Sequence, residues 1–534
     1  MTSDPPSRAV TERHVARGVG TVLLARLGAV VEIVAQPLYV LMFGLAGYGL
    51  YAVLWAAVNL LENIFDFGMT SALQRTVPQA ADEAEAAAAL RAALLWGVGP
   101  CLLVAVAAFF AAEALAGLVN VAAADVGRVA PAIRLFAWAL PLWAFVEIAT
   151  SALRARHLFG PEIRLRIFWE QVIRLVLAAG LWAAGWGVTG LFVAHLASLA
   201  VTAGLTLRLV SKHYSLRAMA HPAATRLASG SPSLAPLPQA VGVGGGPDIG
   251  RLTLMAGLSV LPSNMIARLF GDAPALILNA LLPGAAGASA AALFVIARKL
   301  SSVVQLVRTA FVYVLAPLAS SAEREDRAQV AAIYGYAVRL ILVVAVPLAL
   351  VLAAGSAPLL TLFGREAQAA VAAVAILFVA RAFEAVLGIA VPVFQVVGGF
   401  RHQLTGSVIG LVVAGAVAWP LVAAWGELTG ISAATALGFV IAAAVPVWQL
   451  ARHEGLHPFG PALARAAVRT GGIGAVALAA GLAIAALPAA VAVPGIILAG
   501  LAGVWAGLRF ALPLSDRESL GSVGRKLRLF SAFP

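Results

Sequence analysis

The stretch FGLAGYGLYAVLWAAVNLLENIFDFGMTSALQR, Phe43 to Arg75, decides how this chain is read. Most of it is composed like a helix that faces hydrocarbon. The exceptions in its second half are Asn59, Glu62, Asn63 and Asp66, spaced i, i+3, i+4, i+7. On a helix of 3.6 residues per turn that spacing gathers all four on one face. Ionisable groups at bilayer depth are expensive and turn toward a bundle interior or a wet cavity. The stretch therefore reads as a membrane helix with one polar stripe turned inward.

The rest of the chain has the same character. Of 534 residues, 62% are hydrophobic and 11% charged, more apolar surface than one soluble interior can hold. The chain reads as an all-α polytopic membrane protein. The net charge of +12 then describes topology. Basic residues are dispersed among apolar spans and form no single patch, so nucleic acid is excluded as a partner. Cys101 stands alone, which rules out a disulfide framework. The first apolar run contains Arg26 and Glu32 and is too long for the apolar core of a signal peptide, so it is expected to be the first span.

About fourteen runs are long enough to cross some 30 Å of hydrocarbon. They fall at 18–43, 48–72, 92–117, 130–153, 167–186, 188–210, 252–280, 288–318, 330–355, 367–395, 404–424, 429–450, 464–486 and 492–512. Polar residues blur the boundaries within 252–318. Alternate loops, such as GLAGYG, GWGVTG, PGAAGAS and PAAVAVPG, hold no Lys or Arg. The basic residues outside the spans lie, except for Arg128 and Arg365, on the side of both termini. That side is expected to be cytoplasmic, in a bacterial inner membrane.

Residues 213–250 are rich in Gly, Pro and Ser and read as a flexible cytoplasmic linker. They separate a first lobe at 18–212 from a second at 251–450. Two extra helices at 451–513 and a tail at 514–534 follow, and residues 1–17 form a cytoplasmic leader. FGLAGYGLYAVL opens span two and PGAAGASAAALFV opens span eight, a weak internal repeat. Two six-helix halves of like topology are the pattern of a transporter with a central cavity.

Three stretches carry a family likeness: YVLMFGLAGYGLYAVL at 39–54, DFGMTSALQR at 66–75 and FVIARKLSSVVQLVRTAFVYVLAPLAS at 294–320. Together they pair a glycine turn with an acid-aromatic-glycine triplet near the end of the second helix. An A-x-[KR]-L run in the eighth helix, ending at a proline, completes the set. In this order, and across nearly the whole chain, the sequence resembles the multidrug/oligosaccharidyl-lipid/polysaccharide flippase superfamily, most closely its polysaccharide and O-antigen branch. The resemblance implies two six-helix bundles around a central cavity, two further helices and alternating access. It also implies a non-enzymatic flippase that moves undecaprenyl-pyrophosphate-linked oligosaccharide units across the cytoplasmic membrane, with no cofactor, as a monomer among membrane lipids.

Charges within the spans supply candidate sites. The first six spans hold Arg26, Arg134 and Arg174 against Glu32, Glu62, Asp66, Glu113, Glu147 and Glu170. Later spans hold Arg268, Arg298, Lys299, Arg308, Arg339 and Arg381 against Asp272 and Glu384. Glu170/Arg174, Arg268/Asp272 and Arg381/Glu384 have the spacing of same-face pairs. Glu113, Arg134 and Arg339 are expected to snorkel toward an interface. At about 1.5 Å per residue, Arg26 comes level with Asp66 and Glu62, about 10–15 Å above the cytoplasmic end of its span. A charge pair of Arg26 with Asp66 is one expectation. Glu32 and Asn59 fall near mid-membrane, and a carboxylate there can carry a proton or, with amide oxygens, hold Na+. Glu32, Asn59 and Glu62 are the coupling-ion candidates.

Arg268, Arg298 and Lys299 are candidates for the substrate pyrophosphate, because guanidinium matches phosphate oxygens bidentately. The alternative is that one of them bridges to Asp272 or Glu62.

Two rivals stand beside the flippase. One is a cation-coupled multidrug exporter of the same superfamily, against which the basic second half argues. The other is a membrane glycan polymerase or ligase, for which the short outer loops leave little room. His453-Glu454-Gly455-Leu456-His457 spells the zinc-protease pattern H-E-x-x-H. Gly455 within it and Pro458 after it disfavour the helix that zinc binding there requires, so no metal site is expected.

Overall fold

A computed structural model describes residues 31–156, 158, 165, 168–214, 249–322, 327–397 and 401–529. Among them there is no strand. The helices used below are α1 (Val31–Phe43), α2 (Leu45–Phe65), α3 (Met69–Thr76), α4 (Glu83–Phe110), α5 (Val126–Ala137), α6 (Ala139–Ala155), α7 (Glu170–Ala183), α8 (Gly187–His213) and α9 (Ile249–Leu281). They continue with α10 (Ala285–Ala322), α11 (Arg327–Ala354), α12 (Val371–Leu387), α13 (Ala390–Val397), α14 (Arg401–Trp425), α15 (Glu427–Glu454), α16 (Pro461–Ala485), α17 (Ala489–Ala506), α18 (Leu514–Glu518) and α19 (Gly521–Lys526).

Twelve helical stretches of the described residues are long and apolar enough to cross a membrane. They coincide with twelve of the fourteen expected spans. Of the other two expectations, 18–43 is described only from residue 31 onward, as α1, and 167–186 contains the 14-residue α7. The boundaries left open by polar residues within 252–318 resolve into α9 and α10, separated only by a tight turn at Pro283–Gly284.

Spans differ sharply in what surrounds them. The apolar windows of α2 and α10 are each 72% buried, whereas that of α14 is 6% buried and faces outward almost entirely. The two most enclosed helices are therefore the two that carry Asn59 with Glu62 and Arg298 with Lys299.

The weak repeat has a structural counterpart. Gly44 precedes α2 and Gly284 precedes α10, and both adopt left-handed backbone (φ 74° and 62°). Each lets the chain reverse in a few residues before a helix starts, a conformation open to glycine at little cost. Close to these turns α2 and α10 touch backbone to backbone: a Cβ on Gly49 would overlap the Ala288 carbonyl.

The polar stripe does not lie on one continuous helix, as expected for a span at 48–72. Helix α2 stops at Phe65, and Phe67 (φ 49°) and Gly68 (φ 72°) turn left-handed before α3 begins. A break at this depth needs its backbone groups satisfied, because lipid offers no partner. The Asp66 N–H donates to Glu62 O (2.7 Å), the Met69 N–H to Asp66 O (3.0 Å), and the Gly68 N–H to the Asp66 carboxylate (2.7 Å). The turn then presses onto α9. A Cβ on Gly257 would lie 2.4 Å from Phe67 O, and one on Gly68 would lie 2.4 Å from Gly257 O. Beyond the turn, α3 buries Met69 and Leu73 against Leu90 of α4 and Ile148 and Leu153 of α6.

The contacts divide the chain into two compact units. One comprises Leu54–Val119 and Ala123–Asp272. The other holds Asn120–Ala122, the described residues up to Val53 and those from Ala273 onward. In the first unit the ends of three helices are clamped outside the apolar spans. Arg156, just past α6, donates to Glu83 at the start of α4 (2.6 and 3.2 Å) and to the His213 carbonyl at the end of α8 (2.6 Å). Its guanidinium stacks on the Tyr214 ring 3.8 Å away, and the Tyr214 hydroxyl donates to Ala152 O.

The second unit ends in a docked tail, described below. Most of the expected linker at 213–250 lies outside the described residues.

Replacing Gly257 with leucine forces the turn and α9 apart. The expected cost is about 1–3 kcal/mol of stability, read as a lower melting temperature of the detergent-purified protein, with Gly257→Ala milder than Gly257→Leu.

Candidate functional site

In the unit built from Leu54–Val119 and Ala123–Asp272, the stripe meets acids and a base from other helices. Asn59 and Glu62 on α2 and Asp66 at the turn are all buried, as is Glu147 on α6. Glu62 is 2% exposed and its carboxylate accepts from Asn63 Nδ2 at 3.3 Å. Asp66 and Glu147 lie close enough to repel it, and Arg268 of α9 close enough to attract it. Glu62 thus stands near two other carboxylates and the half-buried Arg268.

Asp66 differs from its neighbours because its charge is already occupied. One oxygen accepts from the Gly68 N–H and the other from the Thr70 hydroxyl at 3.3 Å. This is an Asx turn that caps the start of α3. Glu62, by contrast, has Arg268 as its cation within reach. On the same helices, Trp55 of α2 lies edge-on to Trp143 of α6 (centroids 5.2 Å apart) and against the buried His195 (4.3 Å). Ser151, one turn beyond Glu147, donates to the Thr70 carbonyl and accepts from Gln74 Nε2, fastening α6 to α3.

Glu147 had no role in the sequence reading. The signal was present: it sits inside an apolar span with Trp143, Ala144, Thr150 and Ser151 at one turn's distance, none of them able to neutralise it.

In the other unit, α10 presents Arg298 and Lys299, both half-buried. Lys299 forms an ion pair with Glu32 of α1, 267 residues away in sequence. The pair unites a residue expected to hold phosphate with one expected to hold the coupling ion. Beside it the Tyr48 hydroxyl of α2 donates to the Gln36 amide oxygen of α1, and both side chains are buried. Arg298 and Glu32 both lie within electrostatic reach of Tyr48. Helices α1, α2 and α10 thus meet at a polar cluster in which Lys299 and Arg298 are the cations.

Arg26 lies outside the described residues, so its expected pair with Asp66 has no counterpart here. Arg268 joins the carboxylates of the first unit, in keeping with the alternative that one of the three basic candidates bridges to Glu62. The same-helix pairs Glu170/Arg174 and Arg381/Glu384 form, the latter at 2.6 Å with Arg381 also stacked on Phe439. Arg134 bonds Glu113 at 2.8 Å where both are exposed. Arg339 does not simply snorkel: it makes a two-pronged bond to Asp516 of the tail (2.6 and 3.0 Å). That partner is remote in sequence and becomes visible only when the tail folds back.

At the H-E-x-x-H pattern, α15 ends at Glu454 and Gly455 turns left-handed (φ 67°), so His453 and His457 do not share a helical turn. Among the described residues no group of three or more His, Cys, Asp or Glu is arranged to hold a metal ion.

Several solved structures share this architecture. Lipid II flippase MurJ, in an inward closed conformation, is 10% identical with a TM-score of 0.66, over 90% of this chain and 97% of its own. An inward-facing multidrug resistance MATE family transporter of the MOP superfamily is 17% identical with a TM-score of 0.60, over 84% of this chain and 99% of its own. A mutant of the Vibrio cholerae MATE transporter VcmN is 16% identical with a TM-score of 0.59, over 84% and 99%. At such identities the fold is what is shared. No family model and no curated protein matches the sequence.

If Asp66 acts by capping α3, Asp66→Asn keeps the acceptor and melts close to wild type. Asp66→Ala is expected to lose about 1–2 kcal/mol, measured by thermal unfolding in detergent. Equal losses in both variants would instead assign the stability to the charge.

Proposed function

We propose that this protein is a flippase that moves undecaprenyl-pyrophosphate-linked oligosaccharide or polysaccharide units across the bacterial cytoplasmic membrane by alternating access, driven by H+ or Na+. The observation that carries the proposal is the Lys299–Glu32 pair beside Arg298 on an enclosed helix. Two adjacent cations inside a membrane bundle, one of them held by a single carboxylate, suit a ligand with more than one negative charge. A pyrophosphate outbids Glu32 for Lys299, because it offers several oxygens to ammonium and guanidinium together.

Displacement of Glu32 then supplies the coupling. A carboxylate deprived of its cation at bilayer depth takes up a proton or a sodium ion, since an isolated charge there is costly. Substrate and coupling ion therefore bind cooperatively, each lowering the cost of the other. Glu62 and Asn59 are proposed as a second part of the ion path, and Arg268 as the cation that holds Glu62 when the ion has left. The work is binding and translocation, without bond cleavage, and the lipid tail stays in the bilayer. On this proposal 18–212 and 251–450 act as the two lobes joined by 213–250, with 451–513 as accessory helices and both termini cytoplasmic.

One observation favours a second reading, a cation-coupled drug exporter. The buried Glu62 and Glu147 share their helices with the Trp55 and Trp143 rings, and carboxylates with aromatic faces suit an organic cation.

The two separate in proteoliposomes. With an undecaprenyl-pyrophosphate-linked oligosaccharide as cargo, Lys299→Gln and Arg298→Ala are each expected to slow translocation about tenfold or more while inserting normally. Glu147→Gln should change it less. Unchanged rates in the first two variants, together with Glu147-dependent ethidium efflux, would replace the flippase reading with the exporter.

A further inference from the structure

The last 18 described residues, beyond Ala511, do not trail from the final span. Asp516 is held by Arg339 of α11. Leu512 and Leu529 are wholly buried among Leu340, Val343, Leu508 and Ala511. Trp505 Nε1 of α17 donates to Leu527 O at 3.1 Å. The tail is a built platform that folds back across the end of α17.

What this platform gathers is positive charge: Arg509, Arg517, Arg525, Lys526 and Arg528 against Asp516 and Glu518. Arg509, in the π-helical turn Gly507–Ala511, donates to the Leu529 carbonyl. Arg517 donates through Nη1 to the carbonyls of Arg509 (2.8 Å) and Leu529 (3.1 Å), and its buried Nε has no hydrogen-bond partner among the described residues. Carbonyl oxygens satisfy N–H groups and leave the charge standing. Asp516 is engaged with Arg339, and the other acid of the segment, Glu518, is exposed one residue past Arg517. Burial, then the nearness of Arg509 and Arg469, hold the Arg517 guanidinium below the usual arginine range. Arg525, Lys526 and Arg528 follow, exposed, on the same segment.

Apolar groups rim these cations. Trp505 and Phe510 meet edge to face at 5.8 Å, and both are exposed, as are Leu514 (56%) and Leu527 (41%). Aromatic rings beside arginines at the end of a span are the composition of the headgroup level of a bilayer.

We propose that the docked tail is a binding site for the phosphate of an anionic phospholipid, with Arg469 and Arg517 as its primary cations and Arg525 and Lys526 as its outer ones. The guanidiniums repel one another, and a phosphate received between them relieves that repulsion. The exposed rim of Trp505, Phe510, Leu514 and Leu527 receives acyl chains, which distinguishes a lipid from a soluble phosphate. The site is independent of the transported substrate, since none of these residues belongs to the Lys299–Glu32 cluster.

The test uses the full chain, purified in detergent and exchanged into nanodiscs of phosphatidylglycerol, phosphatidylcholine or their mixture, with retained lipid counted by native mass spectrometry. Wild type is expected to retain phosphatidylglycerol over phosphatidylcholine. Arg469→Gln combined with Lys526→Gln, both on the surface, should weaken that retention about fivefold per charge removed and leave phosphatidylcholine unchanged. Arg339→Met keeps every cation of the patch but releases Asp516, and should also lose the preference. If Arg339→Met fails to fold, the surface double variant decides alone. Three results would overturn the site: equal retention of the two lipids by wild type, an unaltered preference in the surface variant, or displacement of phosphatidylglycerol by millimolar inorganic phosphate.

Discussion

Hydrocarbon supplies no hydrogen bonds, so wherever this chain departs from a straight helix it must satisfy its own backbone. The turn at Asp66–Gly68 is where that constraint is most demanding. Helix α2 ends there, within the run 48–72 that hydropathy reads as one span, and a single carboxylate closes the gap by accepting from Gly68 and Thr70. Once closed, the turn is compact enough for Phe67 and Gly68 to lie on the backbone of α9 at Gly257. The same turn aims α3 into the core made by α4 and α6. A larger residue at Gly68 or Gly257 would separate the parts that hold Glu62, Glu147 and Arg268 within reach of one another.

Charge inside the membrane is managed at two ranges. Short-range pairs such as Glu170/Arg174 and Arg381/Glu384 close on one helix face and stabilise packing without committing any other element. Long-range pairs commit distant parts of the chain to each other: Lys299 with Glu32, Arg339 with Asp516, Arg156 with Glu83. A pair of the second kind breaks when helices move or when a stronger ligand arrives. That makes Lys299–Glu32, half-buried and joining two helices, suited to a binding event, and leaves the fully enclosed Glu170/Arg174 pair to architecture. Arg156 and Arg339 work differently again, as clamps: Arg156, past the end of α6, stacks on Tyr214 and ties helix ends, and Arg339, within the apolar stretch Val330–Ala354, ties the tail through its two-pronged bond to Asp516.

Much of the fold was legible in the sequence, for a physical reason. Crossing a membrane depends on the summed hydropathy of about twenty successive residues, a local property that needs no knowledge of neighbours. Twelve spans therefore appear where expected, and even the ambiguous region 252–318 resolves into two helices with nearly the expected ends. The equivalence of FGLAGYG and PGAAGAS was legible too, because Gly44 and Gly284 meet the same backbone requirement before the same kind of helix. Of the polar stripe, Asn59, Glu62 and Asp66 are buried, as an inward-turned face requires, and Asn63 is half-buried.

What the residues of that stripe do was decided by tertiary structure. Asp66 accepts from Gly68 and Thr70 at a break between α2 and α3 that an apolar average does not register, because the left-handed pair Phe67–Gly68 leaves no mark on it. Glu147 joins Glu62 only because α6 packs beside the turn. Glu32 and Lys299, assigned to different ligands when read singly, meet because α1 and α10 are brought together across 267 residues. The tail ceases to be a tail once Arg339 and Asp516 bond across 177 residues. Sequence by itself determined which stretches are long and apolar enough to enter hydrocarbon, because that follows from neighbours along the chain. Only the folded structure decided which distant charges come together, because the energy of a charge depends on what lies within a few ångströms of it in space.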